Sequence, residues 1–199
     1  SVVLYYIYGR KIRRDSAFTH LLGRLTQNEI VTSELEKELR DVVRSRDEIV
    51  TDIFDETVEK SPAMILKKCR SVRELFGVAA DVFSQYTQLS ARNLHELLIK
   101  RERMASTVIA PGVAVPHITL PSENKLFAMI LVKVENGVSF SREALPVETV
   151  VFLICSPDEK NRHIHSLAMI AQAILDPDFS KRWRMARTSQ QIKDIFLLA

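Results

Sequence analysis

The sequence predicts an α/β layered domain built on a mixed sheet and preceded by a helical arm. Three observations carry this. Two apolar segments of strand length, Leu126–Val134 and Val147–Cys155, stand close together in the second half of the chain. Segments with helical periodicity lie before and after them, and alternation of strands with helices is the pattern of a layered α/β domain. A break at Ser61-Pro62 separates these elements from a long, charged, amphipathic stretch upstream, so the domain boundary is placed there, with the domain spanning residues 63–199.

The chain begins SVVLYYIYGR, apolar and aromatic, and a basic cluster of Arg10, Lys11, Arg13 and Arg14 follows. The run is too short to span a bilayer, which takes about 20 apolar residues. Its charge order is the reverse of a signal peptide, whose basic part comes first. Residues 1–14 fit the end of a membrane helix, with tyrosines at the interface and arginines on the cytoplasmic side; a stray strand or an unstructured terminus is the alternative. On the membrane reading the chain lies at the cytoplasmic face of the cell membrane as part of a larger protein.

Residues 15–62 are read as a helical arm. A helix capped by Asp15 or Ser16 places Phe18, Leu21, Leu22 and Leu25 on one face. A second runs from about Ser33 to Glu59, with an apolar stripe of Leu35, Leu39, Val42, Val43, Ile49, Val50, Ile53 and Phe54. Glu36–Arg40, Lys37–Asp41 and Arg44–Glu48 support its exposed face. Arg46 interrupts the stripe, which argues against a long coiled coil. The arm therefore packs on the domain, on a partner subunit to form a homodimer, or on a parent membrane protein. Beyond Pro62 come helices at about Ser71–Tyr86 and Ala91–Glu102, a turn-rich stretch ASTVIAPGVAVPHITLPSEN, the two strands, a helix at about Asn161–Leu175, and one or two short closing helices.

Composition removes several function classes. The 199 residues leave room for one domain of about 130–150 residues plus an extra segment. A net charge of +3, with much of the excess in residues 10–14, is too weak for a nucleic-acid protein. Only five glycines are present, which disfavours a glycine-rich phosphate loop. Cys69 and Cys155 are far apart and form no C-x-x-C pair, so structural zinc is not expected and a reducing cytosol suits them. No nucleophile-elbow, Walker or dinucleotide-binding motif occurs. No cofactor is implied.

The chemistry centres on GVAVPHITLP. Pro116 restricts its own backbone and that of Val115, which holds His117 in one position at a strand or loop edge. A neutral imidazole is a good nucleophile at cytosolic pH, and phosphoryl transfer needs little beyond positioning and stabilisation of phosphoryl oxygens. Arg101 supplies a two-pronged guanidinium for that purpose, with Lys100 and Arg103 near it in sequence. A histidine in an apolar run is more often structural, and that reading stands beside the catalytic one. His163 and His165 open a helix in NRHIHSLAMIAQAIL, where partial positive charge favours an anion. His163 beside a phosphorylated His117 would donate to the phosphoryl group. Two positions apart on a helix, His163 and His165 point in different directions, so a metal site is not expected. His20 and His95 read as surface or packing residues.

The stretch RERMASTVIAPGVAVPHITLP resembles the signature of the fructose/mannitol-class (type-2) enzyme IIA domains of the phosphoenolpyruvate-dependent phosphotransferase system. Its parts here are Arg101-Glu102, Ser106-Thr107, Gly112 and Val113-Ala114-Val115-Pro116-His117. Downstream, Asn136-Gly137-Val138 resembles the turn before the family's second strand, Val147–Pro157 its apolar strand, Asn161–His163 its Asn-x-His, and RMARTSQQIKDIFLL its closing helices. ILKKCRSVRELFGVAADVFSQ resembles its opening strand-helix unit. The likeness covers nearly all of residues 64–199. It implies a mixed sheet sandwiched by helices, His117 as phosphoacceptor, Arg101 as the phosphoryl-stabilising arginine, and His163 as the second active-site histidine. It also implies the phosphocarrier HPr as donor and a sugar-transporting IIB domain as acceptor. The sequence departs from the pattern at Pro111, where a second glycine is usual, at Ile118, where a small residue is usual, and at Phe140, where a tryptophan-like residue is usual. A bulky Ile118 would narrow a partner's approach. The arm resembles the cytoplasmic tail after the last membrane helix of some prokaryotic amino-acid permeases. Three functions follow: a IIA-like regulatory domain on a permease tail, an active sugar-system IIA, or a ligand-sensing module that kept the fold and lost the chemistry.

Overall fold

Apolar side chains on both faces of two long strands force the chain to cover both sides of its sheet. In the computed structural model, which describes residues 53–122, 125–141 and 145–198, β5 (Phe127–Val138) and β6 (Val147–Cys155) pair antiparallel at the centre. Met129, Leu131, Val151 and Leu153 point into one core, while Ile130, Val132, Val150, Phe152 and Ile154 point into the other. This is the period-two alternation of a strand, with both faces buried.

The elements preceding them are α1 (Ile53–Lys60), β1 (Ala63–Leu66), α2 (Val72–Phe83), α3 (Ala91–Met104), β2 (Val108–Ala110), β3 (Val113–Ala114) and β4 (His117–Thr119). A 3-10 turn (Pro157–Glu159) follows β6 and leads into α4 (Lys160–Ile174), α5 (Phe179–Met185) and α6 (Ser189–Leu197). The six-stranded mixed sheet has the order β1-β5-β6-β3-β2, with β4 also on β6. β1 is parallel to β5, β3 and β4 are parallel to β6, and β2 is antiparallel to β3. Helices α2 and α3 cover one face and α1, α4, α5 and α6 the other. The expected mixed sheet sandwiched by helices is therefore present.

Local signals fix the helix starts. Ser71, Ser90 and Thr188 accept hydrogen bonds from the backbone N–H three residues on, at Glu74, Asn93 and Gln191, which satisfies donors that a helix start leaves open. The Glu74 carboxylate in turn accepts from the Arg70 N–H at 2.9 Å.

Three differences from the sequence reading have physical causes. The turn-rich stretch contains three short strands, because two- and three-residue strands leave no periodicity to read. β5 continues to Val138 through a register shift after Lys133, where a turn was expected. Gly137 has φ +64° there, and a Cβ at that position would lie 2.7 Å from Pro146 Cβ. Ile118 does not narrow the mouth of the site: it is buried, 7% exposed, in the core beneath α2 and α3. Residues 53–60, ahead of the Ser61-Pro62 break, pack on the domain, one of the three placements the sequence leaves open for the arm. Phe54 and Val58 are fully buried in the core with α4 and α6. Arg162 donates to Thr57 Oγ1 at 2.9 Å, and Lys193 donates to the Glu59 carbonyl at 2.6 Å. The membrane-helix end (1–14), the first arm helix with His20, the charged pairs of the second and any dimer through the arm lie outside the described residues. Among the described residues no helix is long and apolar enough to cross a membrane.

The role of α1 can be measured by chemical denaturation. Phe54→Ala is expected to cost about 3–5 kcal/mol, the usual range for emptying a buried aromatic site. Ile53→Ala, at a side chain 60% exposed, is expected to change stability by less than about 0.5 kcal/mol.

Candidate functional site

Pairing along β6 is continuous in register from Val113 opposite Thr149 to His117 opposite Leu153. Pro116 lies inside this run and has no N–H, but its carbonyl still accepts from the Leu153 N–H at 3.0 Å. Because strand groups alternate in direction, Val115 turns its N–H and carbonyl away from β6. Its N–H donates to the Thr107 carbonyl at 2.9 Å. Its carbonyl is met at 2.9 Å by Nδ1 of His117, two residues on.

That contact settles the tautomer. A carbonyl can only accept, so Nδ1 carries the proton and a neutral ring has its lone pair on Nε2. Nε2 faces a donor in agreement with this: Arg101 NH2 lies 3.3 Å away. The other arm of the guanidinium, NH1, donates to the Ala105 carbonyl at 2.9 Å, which folds Arg101 over the C-terminal end of α3. Burial pulls the Arg101 pKa below its ordinary value, and Glu102 opposes that.

His163, 2% exposed in the first turn of α4, completes the group. Its ring centroid is 5.4 Å from that of His117 at a 51° tilt. Neither of its ring nitrogens has a hydrogen-bond partner among the described residues. Burial is the main reason that both rings resist protonation. It pushes His117 down to about 4, with the Val115 carbonyl opposing and Arg101 adding to the fall. It pushes His163 down to about 3, aided by the neighbouring His117 and by Lys160. The site at neutral pH is therefore two uncharged imidazoles beside one guanidinium.

The structure brings Arg101, His117 and His163 together. It does not bring Lys100 or Arg103, which line a groove with Arg73 and His95 on the outer side of α3; His95 donates there to the Arg73 carbonyl at 2.9 Å. His165 is half-buried, and no group of three His, Cys, Asp or Glu suited to a metal occurs among the described residues. Two contributors had no assigned role in the sequence reading. One is the Val115 carbonyl, a backbone group that no residue pattern announces. The other is Glu102, whose carboxylate accepts from the Thr107 N–H at 3.1 and 3.2 Å and from the Thr107 hydroxyl at short range. Burial raises the Glu102 pKa, and the Thr107 hydrogen bonds oppose that.

Comparison with known proteins bears on this arrangement. The family described as phosphoenolpyruvate-dependent sugar phosphotransferase system, EIIA 2, matches residues 57–198. A nitrogen regulatory protein of Bradyrhizobium diazoefficiens is 29% identical over 151 residues, covering 75% of this chain and 95% of that protein. A nitrogen regulatory protein of Escherichia coli is 24% identical over 128 residues, 64% of this chain and 78% of that one. Among solved structures, the nitrogen regulatory protein IIA-Ntr of Neisseria meningitidis aligns with a TM-score of 0.64 at 19% identity, covering 73% of this chain and 99% of that one. The mannitol IIA of Escherichia coli aligns at 0.52 and 18% identity, covering 66% and 94%. At such identities the structural likeness concerns the fold.

The depressed histidine pKa values have a sign that can be tested. Unfolded, each ring takes a proton near its ordinary 6.5; folded, at about 4 and about 3. The unfolded chain thus binds more protons in that window, so stability should fall as pH drops below 6.5. Urea unfolding at about pH 7 and about pH 5 should show the loss, and His163→Phe should reduce it. NMR titration of the folded protein should find both rings still neutral at about pH 5.

Proposed function

This chain belongs to the phosphotransferase-system EIIA 2 family, and from that premise we propose that it is a IIA-type regulatory domain that carries a phosphoryl group on Nε2 of His117. The observation that carries the proposal is the neutral ring with Nδ1 tied to the Val115 carbonyl and Nε2 left beside Arg101. The Nε2 lone pair attacks phosphorus. An N–P bond forms as the bond to the donor's own leaving group breaks, and the electron pair departs with the donor. Arg101 draws charge from the phosphoryl oxygens, and a low-polarity surround makes that attraction stronger than in water. His163, whose ring centroid stands 5.4 Å from that of His117 near the positive end of α4, would donate its N–H to the same oxygens. An HPr-like phosphocarrier is the proposed donor.

The regulatory reading is preferred over a sugar-system carrier because the sequence relatives that cover most of their own length are nitrogen regulatory proteins. In its finer form the domain hangs at the cytoplasmic face of a membrane transporter, an amino-acid permease, and phosphorylation at His117 alters transport. What supports this part is the apolar, aromatic, then basic order of residues 1–14 and the resemblance of the arm to a permease tail.

Incubation with phosphoenolpyruvate, enzyme I and HPr should place an acid-labile phosphate on the protein, and His117→Ala should abolish it. Arg101→Ala should slow labelling by about 10²-fold, the scale for removing one stabilising donor. Labelling that survives His117→Ala would refute the assignment. For the finer reading, His117→Ala in the full-length transporter should change uptake or its regulation; unchanged transport counts against it.

A further inference from the structure

The pairing of β2 with β3 contains an incomplete step. Val108 stands opposite Ala114, so one residue further along the antiparallel pair Thr107 stands opposite Val115. At alternate steps of such a ladder the facing residues exchange two hydrogen bonds, each N–H to the other's carbonyl. One of the two forms: the Val115 N–H donates to the Thr107 carbonyl at 2.9 Å. The reciprocal bond does not. The Thr107 N–H points instead to the Glu102 carboxylate, 3.1 and 3.2 Å from its oxygens. The Thr107 hydroxyl reinforces this by donating to the same carboxylate. The Val115 carbonyl, relieved of its ladder partner, accepts from His117 Nδ1.

We infer that Glu102 is a positioning residue for His117: by capturing the Thr107 N–H it frees the Val115 carbonyl to hold the proton on Nδ1, and so presents Nε2 as the reactive nitrogen. The inference rests on the proposed role of His117 as phosphoacceptor and assigns a cause to its reactive form. A charged acceptor competes for an N–H better than a neutral carbonyl does, so the carboxylate wins the donor at 107. The end of α3 thereby performs two tasks with consecutive residues: Arg101 turns to Nε2, and Glu102 turns to the strand that supports Nδ1. Without the carboxylate, the Thr107 N–H would swing to the Val115 carbonyl and contest it with the imidazole. The ring would then have less reason to keep its proton on Nδ1.

The test uses the whole chain and two readouts. Long-range nitrogen–proton NMR reports the His117 tautomer with no phosphoryl donor present. Phosphoramidate, a small donor that needs no protein partner, reports the reactivity of His117. Wild type should show a single Nδ1–H tautomer. Glu102→Ala should show both tautomers and label about 10-fold more slowly, the scale seen when the group orienting a functional histidine is lost. Glu102→Gln keeps an oxygen that can accept from the Thr107 N–H and should recover most of the tautomer preference and rate. Should Glu102→Ala fail to fold, Glu102→Asp decides: its shorter side chain withdraws the carboxylate from the Thr107 N–H and should bring a detectable second tautomer. A pure Nδ1–H tautomer in folded Glu102→Ala, or in Glu102→Asp when that is the deciding variant, overturns the inference. Failure of wild type to label at all would strike the phosphoacceptor reading, while the tautomer spectra would still decide the role of Glu102.

Discussion

The hydrogen bond from His117 Nδ1 to the carbonyl of Val115 governs the chemistry of this site. Backbone and ring lie within two residues of one another, so the contact is local, yet long-range structure makes it available. Pro116 keeps its carbonyl in the pairing with β6, and strand alternation then turns the Val115 groups outward. Thr107 takes the N–H and leaves the carbonyl. The ring inherits a fixed tautomer from these neighbours, and the direction of Nε2 follows from the attachment of β4 to β6.

Around that contact the protein keeps charge low. Both imidazoles are buried enough to stay neutral, and Arg101 is the cation that reaches Nε2. In a pocket of neutral imidazoles the one guanidinium offsets part of a phosphoryl group's negative charge, whereas two imidazolium rings would leave no free lone pair to attack. The same burial links the site to stability. His163 belongs to a helix whose apolar residues, Ile164, Leu167, Ala168 and Met169, fill the core, and the preceding residue, Arg162, binds Thr57 on α1 and stacks 4.7 Å from the centroid of the Phe127 ring. Helix α1 thus meets α4 at the residue next to His163.

Much of this is legible in the sequence. The two long strands announce themselves by uninterrupted apolar runs, and the helices by caps and periodicity. Arg101, His117 and His163 were legible as types in a pattern: a histidine pinned by proline, an arginine at a helix end, a histidine at a helix start. Other features were hidden for definite reasons. β2, β3 and β4 are too short for alternation to register. Ile118 reads as a mouth residue in the sequence, because its parity relative to the sheet follows only from the register of β4 on β6. The helix holding Phe54 reads as the end of the arm, and its apolar stripe alone does not say whether it packs on the domain, on a partner subunit or on a membrane protein. Glu102 was visible only as part of a motif, since its effect runs through backbone groups of Thr107 and Val115.

The most direct measurement is the nitrogen to which phosphorus becomes bonded. Phosphorus-31 and nitrogen-15 NMR of the phosphorylated, uniformly labelled protein identifies the bonded ring atom through its one-bond coupling. The account predicts a single N–P linkage at Nε2 of His117, with Nδ1 still protonated against the Val115 carbonyl. Phosphorus on Nδ1, or on any residue other than His117, would contradict it.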